Sequence, residues 1–441
     1  MRRDTMSETA TAVALDFVEG DFSGLSIPAH ADALQAGGEK FLTEAFRTFG
    51  ALDANTRVAR IVRIAPCPGG STGQKLFLSV QYDPPSPQLC SELFVKFSRD
   101  FNDAIRDRGR YEMAAEVRFA LLSRHADFPI HVPATYFADY QQASGTGLLI
   151  TQRIGFGSGG IEPQHGKCLD HELVDPLSYY RAVVRALARL AAAHKAGQLS
   201  AAVDAHFPFD VDAAIASDPI RYSEQQLREQ VARFADFAAI HPQLLPDNLR
   251  EPALFAQLAD EVALFLRHES LIKRYLQSRP EFIALCHWNA HLDNAWFWRD
   301  QSGELQCGLM DWGRVSQMNV AYALWGCLSG ASLSIWNEHL PQLLQLFVDE
   351  LREHGGPALD IDELLLHLQL YVAMMGLAWL LDAPARILFR LPQVAQASGP
   401  HDPLFRDHES ARNQLHISSV LLNFWQRYDF GASLQRLLAR Q

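Results

Sequence analysis

Apolar and polar positions change their period about a third of the way along the chain. Arg57 to Pro66 and Leu76 to Asp83 are rich in Val, Ile and Phe and predict two strands, joined by the glycine-rich turn Cys67–Lys75. Ser91 to Phe97 predicts a third, with Lys96 set in the apolar run Leu93–Phe97. Glu39 to Phe49 has helical spacing and Gly50 after it, and Tyr111 to Arg124 is helical with Glu116 on it. Two more strands are predicted at Ala134–Tyr140 and Gly147–Arg153, before the flexible run Gly155–Gly160. From Pro176 the pattern is helical: Ser178–Gly197, then 221–240, 252–278, 338–354, 361–382 and 408–427. A β-rich third followed by a helical remainder predicts an α+β protein of two segregated lobes, since alternating βαβ units would interleave the two periods. The expected division is a lead-in at 1–38, an N-lobe with an antiparallel sheet at 39–154, and a helical C-lobe at 155–441.

Composition narrows the partners. The chain has 441 residues, 48% hydrophobic and 20% charged, with a net charge of −12. That balance disfavours nucleic acid or an anionic membrane as the main partner, and leaves room for a local basic pocket and a small-molecule acceptor. The six cysteines are scattered with no Cys-x-x-Cys pair, and Met1–Ala10 is short and polar with no apolar run behind it. Reduced thiols in a cytoplasmic, soluble protein are the expectation, with no uninterrupted apolar run of membrane-spanning length. Nothing in the sequence fixes the oligomeric state.

The candidate chemistry lies at Leu285-Cys286-His287-Trp288-Asn289-Ala290-His291-Leu292-Asp293-Asn294 and at Met310-Asp311-Trp312. A polar loop between short apolar runs projects side chains, and Asn294 and Asp311 are two hard oxygen donors arriving from neighbouring strand ends. Magnesium needs few protein oxygens, because phosphates and waters complete its octahedron. Taken singly, either residue is equally well a turn cap. In the first third, Gly69, Gly70, Ser71, Thr72 and Gly73 offer backbone N–H groups to phosphates, and Lys96 can pair with the α- and β-phosphates once a helix glutamate fixes it. Glu116 fits, with Glu112 one turn earlier as the alternative; a bland strand lysine and a solvated glutamate are the competing readings. The turn is not a Walker motif, because Gln74 and Leu76 stand where Gly and Ser or Thr are needed. His287 and His291 share a helical zinc spacing but sit in a loop, and no Gly-x-Ser-x-Gly elbow is present.

On these residues the chain resembles the aminoglycoside phosphotransferase and choline kinase-like family of the protein-kinase-like fold. Within it, the chain looks most like ecdysteroid kinase-like and acyl-CoA-dehydrogenase-associated phosphotransferases. That family carries His-Gly-Asp-x-x-x-x-Asn followed by Asp-Trp or Asp-Phe, against His287–Asn294 and Asp311-Trp312 here. Leu190-Ala191-Ala192-Ala193-His194 resembles the family's Leu-Ala-x-Leu-His helix. The resemblance covers roughly residues 55–330. It implies ATP or GTP held by the glycine turn and Lys96, and magnesium held by Asn294 and Asp311. It also implies catalytic positions at His287 and Asn289, and an acceptor hydroxyl bound by the helical part. Three positions depart: Trp288 replaces Gly, Asn289 replaces the catalytic Asp, and Ala323 replaces an Asp that braces the loop. His287, His291 or Asn319 then become the expected braces, and Trp288 or Trp312 a stacking wall for a substrate. Asn289 cannot serve as a base near neutral pH, and Asp293 is the other carboxylate in the loop. Two readings follow: a small-molecule phosphotransferase with a weakened acceptor side, or a silent nucleotide- or ligand-binding pseudokinase.

Overall fold

The described chain opens with a hairpin, β1 (Phe17–Glu19) and β2 (Ser26–Pro28), and then helix α1 (Ala31–Thr48). These belong to a computed structural model that describes residues 16–440 except 68, 70 and 71. The expected lead-in therefore contains structure, and α1 begins at Ala31 instead of Glu39. Gly37 and Gly38 hid its first turns, and Gly38 leaves helical geometry at φ +56°. Contacts divide the chain into two compact units. The first runs to Arg124 and resumes at Pro133–Ile154; the second comprises His125–Val132 and Gly155 onward.

In the first unit, β3 (Arg57–Pro66), β4 (Lys75–Asp83) and β5 (Glu92–Phe97) are followed by helices α2 (Ala104–Arg108) and α3 (Met113–Leu122). Strands β6 (Thr135–Gln141) and β7 (Thr146–Gln152) complete it. The five strands form one antiparallel sheet in the order β3-β4-β5-β7-β6, so β5 is central. Its buried face and α1 share a core of Phe46, Leu78, Val95, Phe137 and Ile150. Alternation along β4 is the mark of a strand with one buried face.

Asp139 on β6 ties the opening hairpin to this sheet. Fully buried, it accepts hydrogen bonds from Phe22 N at 3.1 Å, Ser23 N at 2.9 Å and the Ser23 hydroxyl.

The second unit holds α4 (Pro176–Lys195), α5 (Val203–His206), α6 (Val211–Ala216), α7 (Glu224–Ile240), α8 (Pro252–Arg267) and α9 (Glu269–Gln277). Four short strands follow: β8 (Ile283–His287), β9 (Ala295–Arg299), β10 (Leu305–Leu309) and β11 (Val315–Asn319). The helices then run α10 (Val320–Leu328), α11 (Leu340–Glu353), α12 (Ile361–Met375), α13 (Ala383–Arg390), α14 (Pro403–Asp407), α15 (Glu409–Arg427) and α16 (Phe430–Leu438). The span 252–278 is two helices, because the chain leaves helical geometry at His268. Neither Gly nor Pro marks that break, so periodicity alone joined them. Pairing of β8 with β11 and of β9 with β10 gives two short antiparallel ladders. The loop 288–294 therefore leaves one ladder and enters the other.

Ile361–Leu380, although not an uninterrupted apolar run, is long and apolar enough to cross a membrane by length and composition, at a mean hydropathy of 1.4. Asp362, Glu363, His367 and Gln369 interrupt the run in sequence without lowering its mean below that level. The stretch is 83% buried inside the protein, where it packs against α10, α15 and α16.

Asp139→Ala removes the acceptor of the Phe22 and Ser23 N–H groups and should cost about 1–3 kcal/mol. Urea unfolding followed by near-UV circular dichroism measures it, and a loss under about 1 kcal/mol would show that the clamp contributes little.

Candidate functional site

Lys96 sits near the end of the central strand, opposite Lys75 on β4 and Leu149 on β7. Its side chain is turned into the protein: Lys96 is 5% exposed and Glu116, on α3, is 6% exposed. The Nζ–Oε2 distance is 2.6 Å. The ion pair therefore forms with Glu116. Such a buried pair is weak evidence for stability, since well-packed apolar residues of the same volume hold a fold as well or better.

The glycine turn lies beside the same strand end. Phe97 N donates to Gln74 O at 2.8 Å and Gln74 N to Arg99 O at 3.1 Å. Gly73 has φ +55°, and a Cβ there would run into the Phe97 carbonyl, so glycine is required twice over. Gly69 has φ +95°, and its carbonyl accepts from Arg106 Nη2 at 2.7 Å. Thr72 lies against Gly109. Gly70 and Ser71 fall outside the described residues. Sequence reasoning had no signal for Arg106, which anchors the turn from α2.

In the second unit, the loop and Asp311 come together through backbone. Met310 N donates to Asn294 O at 2.9 Å, continuing the β9–β10 ladder. Asn294 and Asp311 thus leave neighbouring strands one residue apart. Asn294 spends its Nδ2 on Asn289 O at 2.9 Å, which leaves Oδ1 as its metal-type donor. Asp311 is exposed and held at φ +62°, a left-handed conformation that costs a non-glycine residue about 1–2 kcal/mol. An amide oxygen and a carboxylate on adjoining strand ends suit a hard cation such as magnesium, with phosphate and water completing the shell. Among the described residues no group of three His, Cys, Asp or Glu is placed to hold a metal alone. The histidine spacing is not a zinc site, since His287 ends a strand and His291 lies in the loop.

His287 organises the loop. Fully buried, it donates from Nε2 to Met310 O at 3.0 Å, and Nδ1 accepts from Asn289 N at 3.2 Å. Both ring nitrogens are thereby used, so His287 is a positioning residue and not a proton-transfer group. Its ring packs on Trp312 at 4.3 Å between centroids. Burial pushes its pKa down to about 4, against the favourable Met310 carbonyl and Asp311 charge.

The other expected braces divide. His291 lies within 3.5 Å of Ser329 Oγ at the end of α10. Asn319 does not touch the loop: its amide goes to Leu276 O and to His367, and its oxygen caps α10 at Ala321 N. Two braces were not foreseen. Trp288 Nε1 donates to Tyr371 Oη at 2.7 Å. Gly326 on α10 abuts the Trp288 carbonyl so closely that a Cβ would run into it. Ala323 is buried beside them and contributes no polar atom. His194, ending α4, accepts from Leu285 N at 3.1 Å, which gives the alanine-rich helix its link to β8.

Of the two tryptophans offered as a stacking wall, Trp312 is buried with Nε1 bonded to Leu309 O at 3.1 Å, while Trp288 is half-buried beside Asn289. Asn289 is also half-buried. Burial lifts the Asp293 carboxyl, with Lys167 opposing, and its Oδ1 has no hydrogen-bond partner.

No family model matches the chain, and no curated protein does. Among solved structures it is similar to a GDP complex of an aminoglycoside 2′-phosphotransferase variant. That match has 13% identity, covers 90% of this chain and 99% of that one, and has a TM-score of 0.40. It is also similar to spectinomycin phosphotransferase in complex with ADP and spectinomycin, at 14% identity over 82% of this chain and 94% of that one, with a TM-score of 0.38. A choline/ethanolamine kinase family protein from Mesorhizobium loti matches at 14% identity over 86% and 98%, with a TM-score of 0.36.

Two outcomes are expected. In the unfolded chain His287 takes a proton near its ordinary pKa of about 6.5, and in the fold only near 4. Stability should therefore be unaffected by this group above that range and fall by about 3 kcal/mol as pH drops from about 6.5 to 4. His367, also lowered to about 4, adds a parallel loss, so the test is the difference between wild type and His287→Gln. A variant with an unchanged acid slope would remove His287 from this account. Gly326→Ala should cost about 1–3 kcal/mol by crowding the Trp288 carbonyl, read as a lowered denaturation midpoint; an unchanged midpoint would mean the contact yields freely.

Proposed function

We propose that the chain is a nucleotide-dependent phosphotransferase of the aminoglycoside phosphotransferase and choline kinase-like kind, transferring phosphate to a hydroxyl of a small molecule. The observation that carries this reading is the buried Lys96–Glu116 pair beside a glycine turn. A structural role does not require two charges there, whereas a nucleotide needs a lysine held at a fixed angle. Backbone N–H groups of the turn and Lys96 would hold ATP or GTP, and Asn294 with Asp311 would hold magnesium. The ion, when bound, neutralises charge on the transferring phosphoryl group.

On the acceptor side, Asn289 orients the hydroxyl through its amide oxygen and takes no proton. Its backbone is fixed at both ends, N–H to His287 and carbonyl to Asn294, so orientation survives the loss of the carboxylate. General-base catalysis is worth about 10²–10⁴-fold, and phosphoryl transfer relies mainly on positioning and charge stabilisation. The same carboxamide favours a second reading, a silent nucleotide-binding protein that works through its ligand-bound state.

Thermal unfolding with ATP or GTP plus magnesium should raise stability by about 2–4 kcal/mol at ligand concentrations far above Kd. No rise with either nucleotide would remove both readings. Given binding, Asn289→Asp should raise nucleotide turnover, screened with alcohols and amino alcohols, by about 10²-fold or more. Turnover undetectable in both proteins against every alcohol would select the silent reading.

A further inference from the structure

A cavity of about 170 Å³ lies wholly within the second unit and away from the loop. Its walls are one face of α4, the segment 128–131, and β10 from Glu304 to Cys307. Its exposed lining is mainly polar; Ile130, Ala182, Ala186, Leu305 and Cys307, core residues that keep 7–9% of their surface, supply the smaller apolar part. Two arginines, Arg185 and Arg189, stand one helical turn apart at its polar side.

Both arginines are fixed in place by glutamates. Arg189 Nε donates to Glu350 Oε2 at 3.1 Å, and Arg185 Nη1 donates to Glu304 Oε1 at 2.6 Å. Arg185 Nε is 3.3 Å from Glu350 Oε1 but makes no hydrogen bond, and it is buried. That ion pair meets its charge and leaves the N–H without a well-directed hydrogen bond. Bonding through Nε leaves the terminal nitrogens of Arg189, the planar fork that matches a carboxylate.

We propose that this cavity binds a small carboxylate, its oxygens on Arg185 and Arg189 and its short body beside Ala182 and Ala186 of α4. Its volume equals about five or six waters at roughly 30 Å³ each, the bulk of a single ring or a short branched chain. Binding at the site is independent of the phosphotransferase reading, and its regulatory role rests on that reading. Its position gives it a regulatory role: β10 continues through Met310 to Asp311, and the 128–131 segment is hydrogen-bonded to the same strand by Leu309 N to His131 O at 3.0 Å. A ligand seated there stiffens the strand that presents Asp311.

Benzoate is the probe, with benzyl alcohol and benzylamine as neutral and cationic controls, titrated by calorimetry into the full chain. Benzoate should bind below about 10 mM and the controls at least tenfold more weakly. Arg189→Gln should weaken benzoate at least tenfold, and Ala186→Leu, which fills the cavity, should abolish binding. Should Ala186→Leu fail to fold, hydrogen exchange on the wild type decides. Slower exchange at 128–131 and 304–309 with benzoate supports the site, and slowing elsewhere overturns it. No benzoate binding at about 10 mM, or equal binding by Arg189→Gln, also overturns it.

Discussion

One neutral imidazole sets the geometry on which the second unit's polar loop depends. His287 gives its only N–H to the carbonyl before Asp311 and takes the N–H of Asn289. A proton on Nδ1 would remove that acceptor and place a charge among buried groups. Desolvation keeps the ring neutral, and the Met310 carbonyl and Asn289 N–H fix its tautomer. From this ring the rest follows: β10 is registered against the loop, Asn294 turns its amide to Asn289, and Asp311 is held in a left-handed conformation at an exposed turn.

Asn289 stands on a loop that is firmly held. Ala323 brings no charge to it, and the loop is braced by contacts that need none: His287, the Trp288–Tyr371 hydrogen bond, and the close approach of Gly326. A glycine in place of Trp288 has no side chain to anchor, whereas the indole reaches α12 and fixes the residue before Asn289. In the first unit the Lys96–Glu116 pair is buried beside the packed glycine turn, and the proposed nucleotide role rests on that arrangement.

The sequence was most informative where local period and punctuation agree. The boundaries of β3, with its flanking Pro66, were legible, as was α4, with Pro176 at its start and Gly197 past its end. The loop's residues stood out because polar side chains interrupt apolar strands. Glu116 could not be separated from Glu112 by spacing, since both lie one turn apart on the same helical stretch; only packing chose. α1 was shortened by Gly37 and Gly38, and α8 and α9 were fused because nothing at His268 announces a bend. Strand β11 and helix α10 were missed: the strand is short and polar, and the helix is apolar on every side, with no periodic face to detect. Arg106, Gly326 and Tyr371 act through tertiary contact, for which single-chain periodicity carries no signal.

The proposed roles of Lys96 toward a nucleotide and of Asp311 toward magnesium are tested most directly by calorimetric titration of ATP or GTP, with magnesium and with a chelator, into wild type, Lys96→Met and Asp311→Ala. Magnesium should strengthen binding to wild type at least tenfold and have little effect on Asp311→Ala, while Lys96→Met binds weakly in both conditions. Binding to wild type that ignores magnesium, or that survives Lys96→Met unchanged, would contradict the account.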